Sequence, residues 1–123
     1  MKLLTHNFLQ CHIKGVKNGY PLNIEAVKIE ERDADFDPDF LRSMFKRIDW
    51  KAFLVGAQAL GCAEGLPEAV SEEQLQDDGF LQKFHHALLE VCLEEGSLIC
   101  PETGRRFPVV KGIPNMLLNE DEV

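Results

Sequence analysis

The stretch SLICPETGRRFPVVKGIPNMLL, residues 97–118, decides the fold. Three extended apolar segments, SLIC, RFPVV and IPNMLL, are separated by a turn at PETGR and a second turn at Lys111–Gly112. Gly and Pro mark turns, and short apolar runs bounded by turns are typical of strands. We therefore predict that residues 96–123 form antiparallel β structure.

The first 32 residues are also predicted to be β. KLLTHNFL is a candidate first strand, and Asn18–Gly19 is a strong turn signal. In LNIEAVKIE, strand periodicity places Leu22, Ile24 and Ala26 on one face, alternating with Asn23, Glu25 and Val27. We expect residues 1–32 and 96–123 to pair in one antiparallel sheet.

Residues 33–95 are predicted to be a helical insert of about three helices, which makes the fold class α+β. Asp37 followed by Pro38 is a helix start, with Asp as the N-cap and Pro at the first helical position. A second helix is predicted to begin at Asp49 and to end at Gly61, a residue that suits the left-handed C-terminal position.

The third helix is predicted to run from about Asp78 to Glu95 and to stop at Gly96. Its apolar residues recur at helical spacing. In the acidic connector before it, Ser71 and Gln74 are placed to cap a short helical turn.

Composition limits the function classes. The 123 residues carry a formal net charge of −8, with 21 acidic and 13 basic side chains. That balance argues against a chain that binds RNA or DNA by itself, because phosphate contacts need an excess of Lys and Arg. No apolar run approaches the roughly 20 residues of a membrane span. We expect an intracellular protein whose four cysteines are thiols or ligands and not disulfides.

Two of these cysteines resemble halves of a metal knuckle. A sheet that joins both chain ends would bring Cys11 and Cys100 together, but their expected partners in the two knuckles are Val16 and Thr103. A structural zinc ion takes four ligands. We therefore expect two small buried thiols without a metal, and neither Cys62, Cys92 nor a nearby His has the spacing to complete a site.

Catalytic motifs are missing. The sequence has no nucleophile elbow, Gly-rich phosphate loop or dinucleotide fingerprint. His85 and His86 are adjacent on a predicted helix and point about 100° apart, so they cannot chelate one ion as an i, i+4 pair can. We expect one to face the core edge, the other to face solvent or a partner, and the pair to be structural.

The segment GIPNMLL, residues 112–118, allows two interpretations. Pro114 lacks an N–H and belongs at a sheet edge or a bulge. An apolar edge in an acidic protein indicates an intended partner. Alternatively, the apolar side chains pack on the helical insert. The pattern alone does not separate these two.

Four segments together carry a family resemblance: MKLLTHNFL, DFDPDFLRSMFKRIDW, FHHALLEV and EEGSLICPETGRRFPVVKGIPNMLL. In this order they resemble the multifunctional methyltransferase-activating subunit of eukaryotes, and its plant branch above all. The resemblance implies a non-catalytic protein that forms separate heterodimers with several S-adenosylmethionine-dependent methyltransferases. These partners act on tRNA, 18S ribosomal RNA and the peptide-chain release factor. It also implies a role in ribosome biogenesis, a location in the cytoplasm and nucleus, and S-adenosylmethionine bound by the partner only.

The resemblance further implies a zinc-ribbon-like sheet and a set of site residues. The family's four metal positions correspond here to Cys11, Val16, Cys100 and Thr103, so the site is degenerate and no cofactor is expected. The partner contact, made by main-chain pairing and an apolar patch, corresponds to two segments: Thr5, His6, Asn7, Phe8 and Leu9, and Ile113, Pro114, Asn115, Met116, Leu117 and Leu118.

Two rival functions remain at this stage. A free-standing ribbon that binds nucleic acid or protein would show tRNA binding by the isolated chain, with a steep dependence on salt. A small enzyme would transfer methyl groups without any partner.

Overall fold

In a computed structural model that describes residues 1–122, four antiparallel strands form one sheet in the order β1-β2-β3-β4. The strands are β1 (Asn23–Glu31), β2 (Val91–Ile99), β3 (Arg106–Val110) and β4 (Ile113–Pro114). The helices are α1 (Leu3–Asn7), α2 (Pro38–Phe45), α3 (Trp50–Ala59), α4 (Glu72–Leu75) and α5 (Asp78–His85), with a π turn at His86–Glu90 and a 3-10 turn at Glu120–Glu122.

This arrangement confirms the α+β class and the antiparallel sheet built from both ends of the sequence. The division into a ribbon-like β domain and an insert stays a prediction, as does the ribbon-like description itself. The last residue of the predicted β domain, Val123, lies outside the described residues. Within residues 1–122, no helix has both the length and the apolar character that crossing a bilayer requires.

The prediction of a strand at KLLTHNFL is wrong, because most of this segment forms helix α1. Only Lys2 makes a bridge, to Cys92, before the chain leaves the sheet. Leu3 and His6 are three residues apart and both are fully buried. Helical spacing places them on one face, against Gly56 of α3, where an added Cβ would lie 2.6 Å from Leu3 Cδ2. The close packing of α1 on α3 therefore decides the structure of this segment.

The predicted starts of the first two insert helices are confirmed. The Asp37 carboxylate accepts a hydrogen bond from the Phe40 N–H at 3.1 Å, and Asp49 accepts one from the Ala52 N–H at the same distance. After α3, Gly61 has φ +73°, the left-handed conformation that ends a helix. The Ser71–Gln74 capping box is present at the start of α4.

The third long helix is shorter than predicted. Helix α5 ends at His85, and strand β2 begins at Val91, so the predicted helical residues 91–95 belong to the sheet. Val91 to Leu93 are buried and pair with β1, so long-range pairing outweighs the local helical pattern. Gly96 is inside β2, where an added Cβ would collide with the Glu25 carbonyl oxygen. The close approach of two strands, and not a helix end, requires glycine there.

A cluster of aromatic rings holds the insert together and joins it to the sheet. The Phe53 and Phe84 rings meet edge to face at 5.4 Å, and Trp50 lies 5.0 Å from Phe53. Edge-to-face contacts of this kind stabilise a core beyond the area that they bury. Leu98, Phe107 and Val109 add the buried face of the sheet to the same core.

Candidate partner-binding edge and paired cysteines

Strand β4 forms one edge of the sheet. It pairs with β3 through Val110–Ile113 and Val109–Pro114, and no strand of residues 1–122 lies on its other side. Beyond β4, the Asn115 N–H donates to the Pro108 carbonyl at 2.9 Å, so the chain follows β3 a little further. An edge with unpaired main-chain groups is a surface on which another chain can add a strand.

The predicted turn before β4 is confirmed. Lys111 and Gly112 have φ +52° and +76°, the pair of left-handed residues that a two-residue hairpin turn requires. The Gly112 N–H donates to the Glu94 carbonyl of β2 at 2.9 Å, which fixes the turn against the sheet. The direction of β4 is therefore set from within the molecule.

The side chains of GIPNMLL divide into a half-buried and an exposed group. Met116 and Leu118 are half-buried and pack against the core. Ile113 is 70% exposed and Leu117 is 78% exposed. Asn115 is exposed and Pro114 is half-buried. The segment thus anchors itself with two side chains and presents two others to solvent.

Sequence reasoning did not select Val110, which is 57% exposed and pairs directly with Ile113. Strand periodicity could have selected it. Exposed and buried residues alternate along RFPVV, and Phe107 and Val109 are the buried ones. Strand periodicity therefore places Val110 on the outer face, beside Ile113.

The second predicted contact segment, Thr5 to Leu9, contains residues with different surroundings. Phe8 is 57% exposed, Thr5 is exposed and Leu9 is half-buried. Asn7 is buried: its Nδ2 donates to the Asp49 carbonyl at 2.8 Å, and its Oδ1 accepts from the Asp49 N–H at 2.9 Å. Asn7 therefore fixes the end of α1 against the start of α3 and holds Phe8 in place.

His6 is fully buried, so its side chain is not on the surface of this chain. Its Nε2 lies 2.7 Å from the Leu22 carbonyl, which can only accept, so Nε2 carries the proton. Burial lowers the pKa of His6, and the hydrogen bond to Leu22 opposes this only in part. A neutral His6 is an interior link between α1 and the start of β1, and does not itself contact a partner from this position.

Cys11 and Cys100 are both buried free thiols and belong to the same apolar core. Burial raises the pKa of the Cys11 thiol, and a hydrogen bond to Cys100 raises it further. Burial also acts to raise the pKa of Cys100, but hydrogen bonds from Thr103 and Cys11 outweigh it and lower that pKa.

The donors at this place do not fit a structural zinc ion. Val16 packs its side chain on the core, and the Thr103 N–H donates to Cys100 Sγ at 3.5 Å. The Thr103 hydroxyl in turn accepts from the Arg105 N–H at 3.2 Å. In the part of the chain that the structure describes, no three His, Cys, Asp or Glu side chains are arranged to bind a metal ion. Two sulfurs alone fall short of the four ligands that zinc requires.

Carboxylates connect the N-terminal loop, which contains Cys11, to the loop that contains Cys100. Glu102, after Cys100, accepts from the Lys17 N–H at 3.2 Å. Glu122 pairs with Arg105 at 2.8 Å, and its main-chain carbonyl accepts from the Lys14 N–H at 2.7 Å. The hydrogen bond from Arg105 lowers the pKa of Glu122. The acidic tail thus links the N-terminal loop to the loop before β3.

The two adjacent histidines face different surroundings, as predicted. His85 is 5% exposed, and its Nε2 lies 2.9 Å from the Ala34 carbonyl. The half-exposed His86 lies 3.1 Å from Glu90 and 3.4 Å from Glu31 of β1. His85 links the end of α5 to Ala34, which follows β1, and His86 links the next turn to Glu31 of β1. Both contacts lie within the chain.

The chain resembles known proteins in both sequence and fold. The sequence model of the family described as Trm112p-like protein matches residues 2–112. The chain is 59% identical to Arabidopsis thaliana "Multifunctional methyltransferase subunit TRM112 homolog A", over 100% of both chains. It is 46% identical to a Mus musculus protein named "Multifunctional methyltransferase subunit TRM112-like protein", over 99% of this chain and 98% of that one.

A solved structure shares the fold. It is a chain of the E. cuniculi Mtq2–Trm112 complex, whose described role is methylation of the eRF1 translation termination factor. The TM-score is 0.62 at 23% identity, and the match covers 95% of each chain.

Proposed function

We propose a function from one premise: this chain belongs to the Trm112p-like protein family. Relatives that align with it from end to end are named as multifunctional methyltransferase subunits. The proposed function is that of a non-catalytic, activating subunit, which forms separate heterodimers with several S-adenosylmethionine-dependent methyltransferases.

The open β4 edge is the observation that carries this proposal. Ile113 and Leu117 expose most of their apolar surface beside main-chain groups that no strand of residues 1–122 pairs. A partner strand added there gains main-chain hydrogen bonds, and the exposed side chains supply the apolar contact. Val110 extends this surface on the neighbouring strand.

Phe8 is assigned to the same proposed contact. It is an exposed aromatic on a helix end that Asn7 fixes from the inside, so it meets a partner without first being ordered. Rigid aromatic side chains of this kind often contribute most of the binding energy at an interface.

Activation is proposed to act through stability. A subunit that binds only the folded methyltransferase shifts that enzyme toward its folded, cofactor-binding state by mass action. The substrates proposed for the complexes are tRNA, 18S ribosomal RNA and the peptide-chain release factor, which places the chain in both cytoplasm and nucleus. With a net charge of −8, the chain leaves RNA binding, and S-adenosylmethionine binding, to its partners.

The test is co-expression of the chain with candidate methyltransferases, followed by affinity purification. Ile113→Asp is expected to abolish recovery of the methyltransferase, because a charge would be desolvated in the contact. Val27→Asp is the matched control: Val27 is 74% exposed and lies on β1, at the opposite edge of the sheet.

Both variants are expected to unfold at nearly the temperature of the unmodified chain, because both side chains are already in solvent. Loss of the partner with Val27→Asp but not with Ile113→Asp would move the contact to the β1 edge. Methyl transfer by the chain alone would overturn the non-catalytic assignment.

A further inference from the structure

We infer that Asn18 is a modification site, at which the folded chain deamidates spontaneously, with water as the only co-reactant, and forms isoaspartate. The new acidic group is expected to weaken the contact between the N-terminal loop and the loop that contains Glu102. The site is separate from the proposed methyltransferase contact, and its test does not require a partner.

The order of two residues is the first argument. Asn18 is the only one of the five asparagines that is followed by glycine. Glycine has no Cβ, so its main-chain nitrogen can approach the preceding side chain with little steric hindrance. An added Cβ at Gly19 would lie 2.5 Å from the Cys11 carbonyl oxygen, so the fold requires glycine at this position. The susceptible Asn-Gly pair is therefore part of the fold.

The surroundings of the pair are the second argument. Asn18 is exposed and lies outside every helix and strand of residues 1–122. Glu102 Oε1 accepts from the Asn18 N–H at 3.4 Å, and the Gly19 carbonyl accepts from the Cys11 N–H at 2.9 Å. Among residues 1–122, neither the Asn18 side-chain amide nor the Gly19 N–H makes a hydrogen bond, so the two reacting groups are available to each other.

The other four asparagines lack this combination. Asn7 is buried, and its side chain makes two hydrogen bonds. Asn23 begins β1 and precedes Ile24, whose branched Cβ hinders the approach of its own nitrogen. The Oδ1 of Asn115 is held by a main-chain N–H, and Asn119 is followed by a residue that has a Cβ.

The reaction balances with one water. The Gly19 nitrogen attacks Cγ of Asn18 and gives up its proton, the new C–N bond closes a succinimide ring, and the side-chain nitrogen leaves as ammonia. Water then adds to one of the two ring carbonyls and breaks the bond from that carbonyl to the ring nitrogen. Opening at the main-chain carbonyl gives isoaspartate, and opening at Cγ gives aspartate. One asparagine and one water thus give one acidic residue and one ammonia.

The product places a negative charge beside Glu102. That carboxylate accepts from the Lys17 N–H at 3.2 Å and from the Asn18 N–H at 3.4 Å, and a second carboxylate at residue 18 repels it. Isoaspartate also adds a methylene to the main chain, which displaces the Gly19 carbonyl from the Cys11 N–H. The deamidated protein is therefore expected to unfold at a lower temperature than the unmodified protein.

The experiment incubates the full chain, reduced and without denaturant, and digests samples over time with an endoproteinase that cleaves after glutamate. The peptide of residues 1–25 contains Asn7, Asn18 and Asn23, so mass spectrometry compares the three in one molecule. The expected result is conversion of Asn18 to isoaspartate and a smaller amount of aspartate, with no measurable loss of the other two. Electron-transfer fragmentation separates the isomers, and a sample taken before incubation corrects for changes during digestion.

Asn18→Gln is the matched control. Glutamine keeps the main-chain N–H that Glu102 accepts, but its longer side chain closes a ring much more slowly, so this variant should keep its amide and its unfolding temperature. Asn18→Asp carries the charge without the altered main chain. Its unfolding temperature should lie between that of the unmodified chain and that of the deamidated fraction isolated by anion exchange.

The inference is overturned if Asn18 in the folded chain is lost no faster than Asn23, or if isoaspartate forms only in urea. Aspartate without isoaspartate would rule out the succinimide. If the deamidated fraction unfolds at the same temperature as Asn18→Gln, the expected effect on the contact with Glu102 is wrong.

Discussion

The two loops that flank β3 are built in opposite ways. The loop before it, Cys100 to Arg105, is held by hydrogen bonds within the chain: the Thr103 N–H donates to Cys100 Sγ, and Glu102 accepts from the Lys17 N–H. The segment after it, residues 111–118, keeps only two residues in a strand and leaves Ile113 and Leu117 mostly exposed.

The loop before β3 therefore stabilises the chain, whereas the segment after β3 leaves a strand edge open to a partner. At the first loop, Glu102 accepts from the Lys17 N–H and Glu122 pairs with Arg105, so this end of β3 is held by groups of the chain itself. After β3, no strand among the described residues pairs with the outer edge of β4, and the apolar side chains beside that edge are exposed to solvent. Apolar groups beside a free strand edge are unfavourable in water unless a partner covers them.

The largest effect on this comparison is expected at two adjacent residues, Asn7 at the end of α1 and Phe8 directly after it. Asn7→Ala should lower the free energy of unfolding by about 2 kcal/mol, because it removes the two hydrogen bonds that the buried Asn7 side chain makes to the main chain of Asp49. Phe8→Ala should change it by less than about 0.5 kcal/mol, since Phe8 is mostly in solvent. Urea unfolding measures both.

Binding should show the reverse order. At a temperature where both variants are folded, Phe8→Ala should weaken methyltransferase recovery more than Asn7→Ala. Equal losses of stability in the two variants would contradict the account that Asn7 stabilises the fold and that Phe8 is available to a partner.

A smaller effect is expected from pH at His6. Its pKa is lowered in the folded chain, so acid protonates the unfolded state first. The stability from neutral His6 is complete above its ordinary value of 6.5 and is lost as pH falls toward the lowered, folded value. The slope for one proton is at most about 1.4 kcal/mol per pH unit.

Urea unfolding between pH 7.5 and pH 5 checks this, with His6→Gln as the comparison. Glutamine keeps a donor for the Leu22 carbonyl but does not titrate, so that variant should lose this part of the pH dependence. An unchanged slope in His6→Gln would assign the effect to other groups.

The smallest effect is expected from metal removal. The two thiols and Thr103 do not make a zinc site, so a strong chelator should leave the unfolding temperature unchanged, and elemental analysis should find far less than one zinc per chain. Stoichiometric zinc, or a large fall in the unfolding temperature with chelator, would contradict the account of the first loop.

The sequence was sufficient where local chemistry decides the structure. Asp37 and Asp49 cap their helices as predicted, and the turn at Lys111–Gly112 forms. In each case the signal lies within a few residues of the feature that it predicts.

It was insufficient where distant packing decides. KLLTHNFL is apolar enough for a strand, but the fit of Leu3 against Gly56 makes it a helix. Val91 continues a helical pattern, but pairing with β1 makes it the start of β2. For the candidate site, the sequence selected Ile113, Leu117 and Phe8, which are exposed, together with His6 and Asn7, which are buried, and it could not separate the two groups.

The central claim is that a methyltransferase strand pairs with the main chain at the β4 edge. Amide hydrogen exchange of the chain, alone and with a bound methyltransferase, tests this most directly. The account predicts that binding slows exchange of the amides from Ile113 to Leu118, while those of β1, at the other edge of the sheet, keep their rates. Slowed exchange along Asn23–Glu31, with residues 113–118 unchanged, would contradict it.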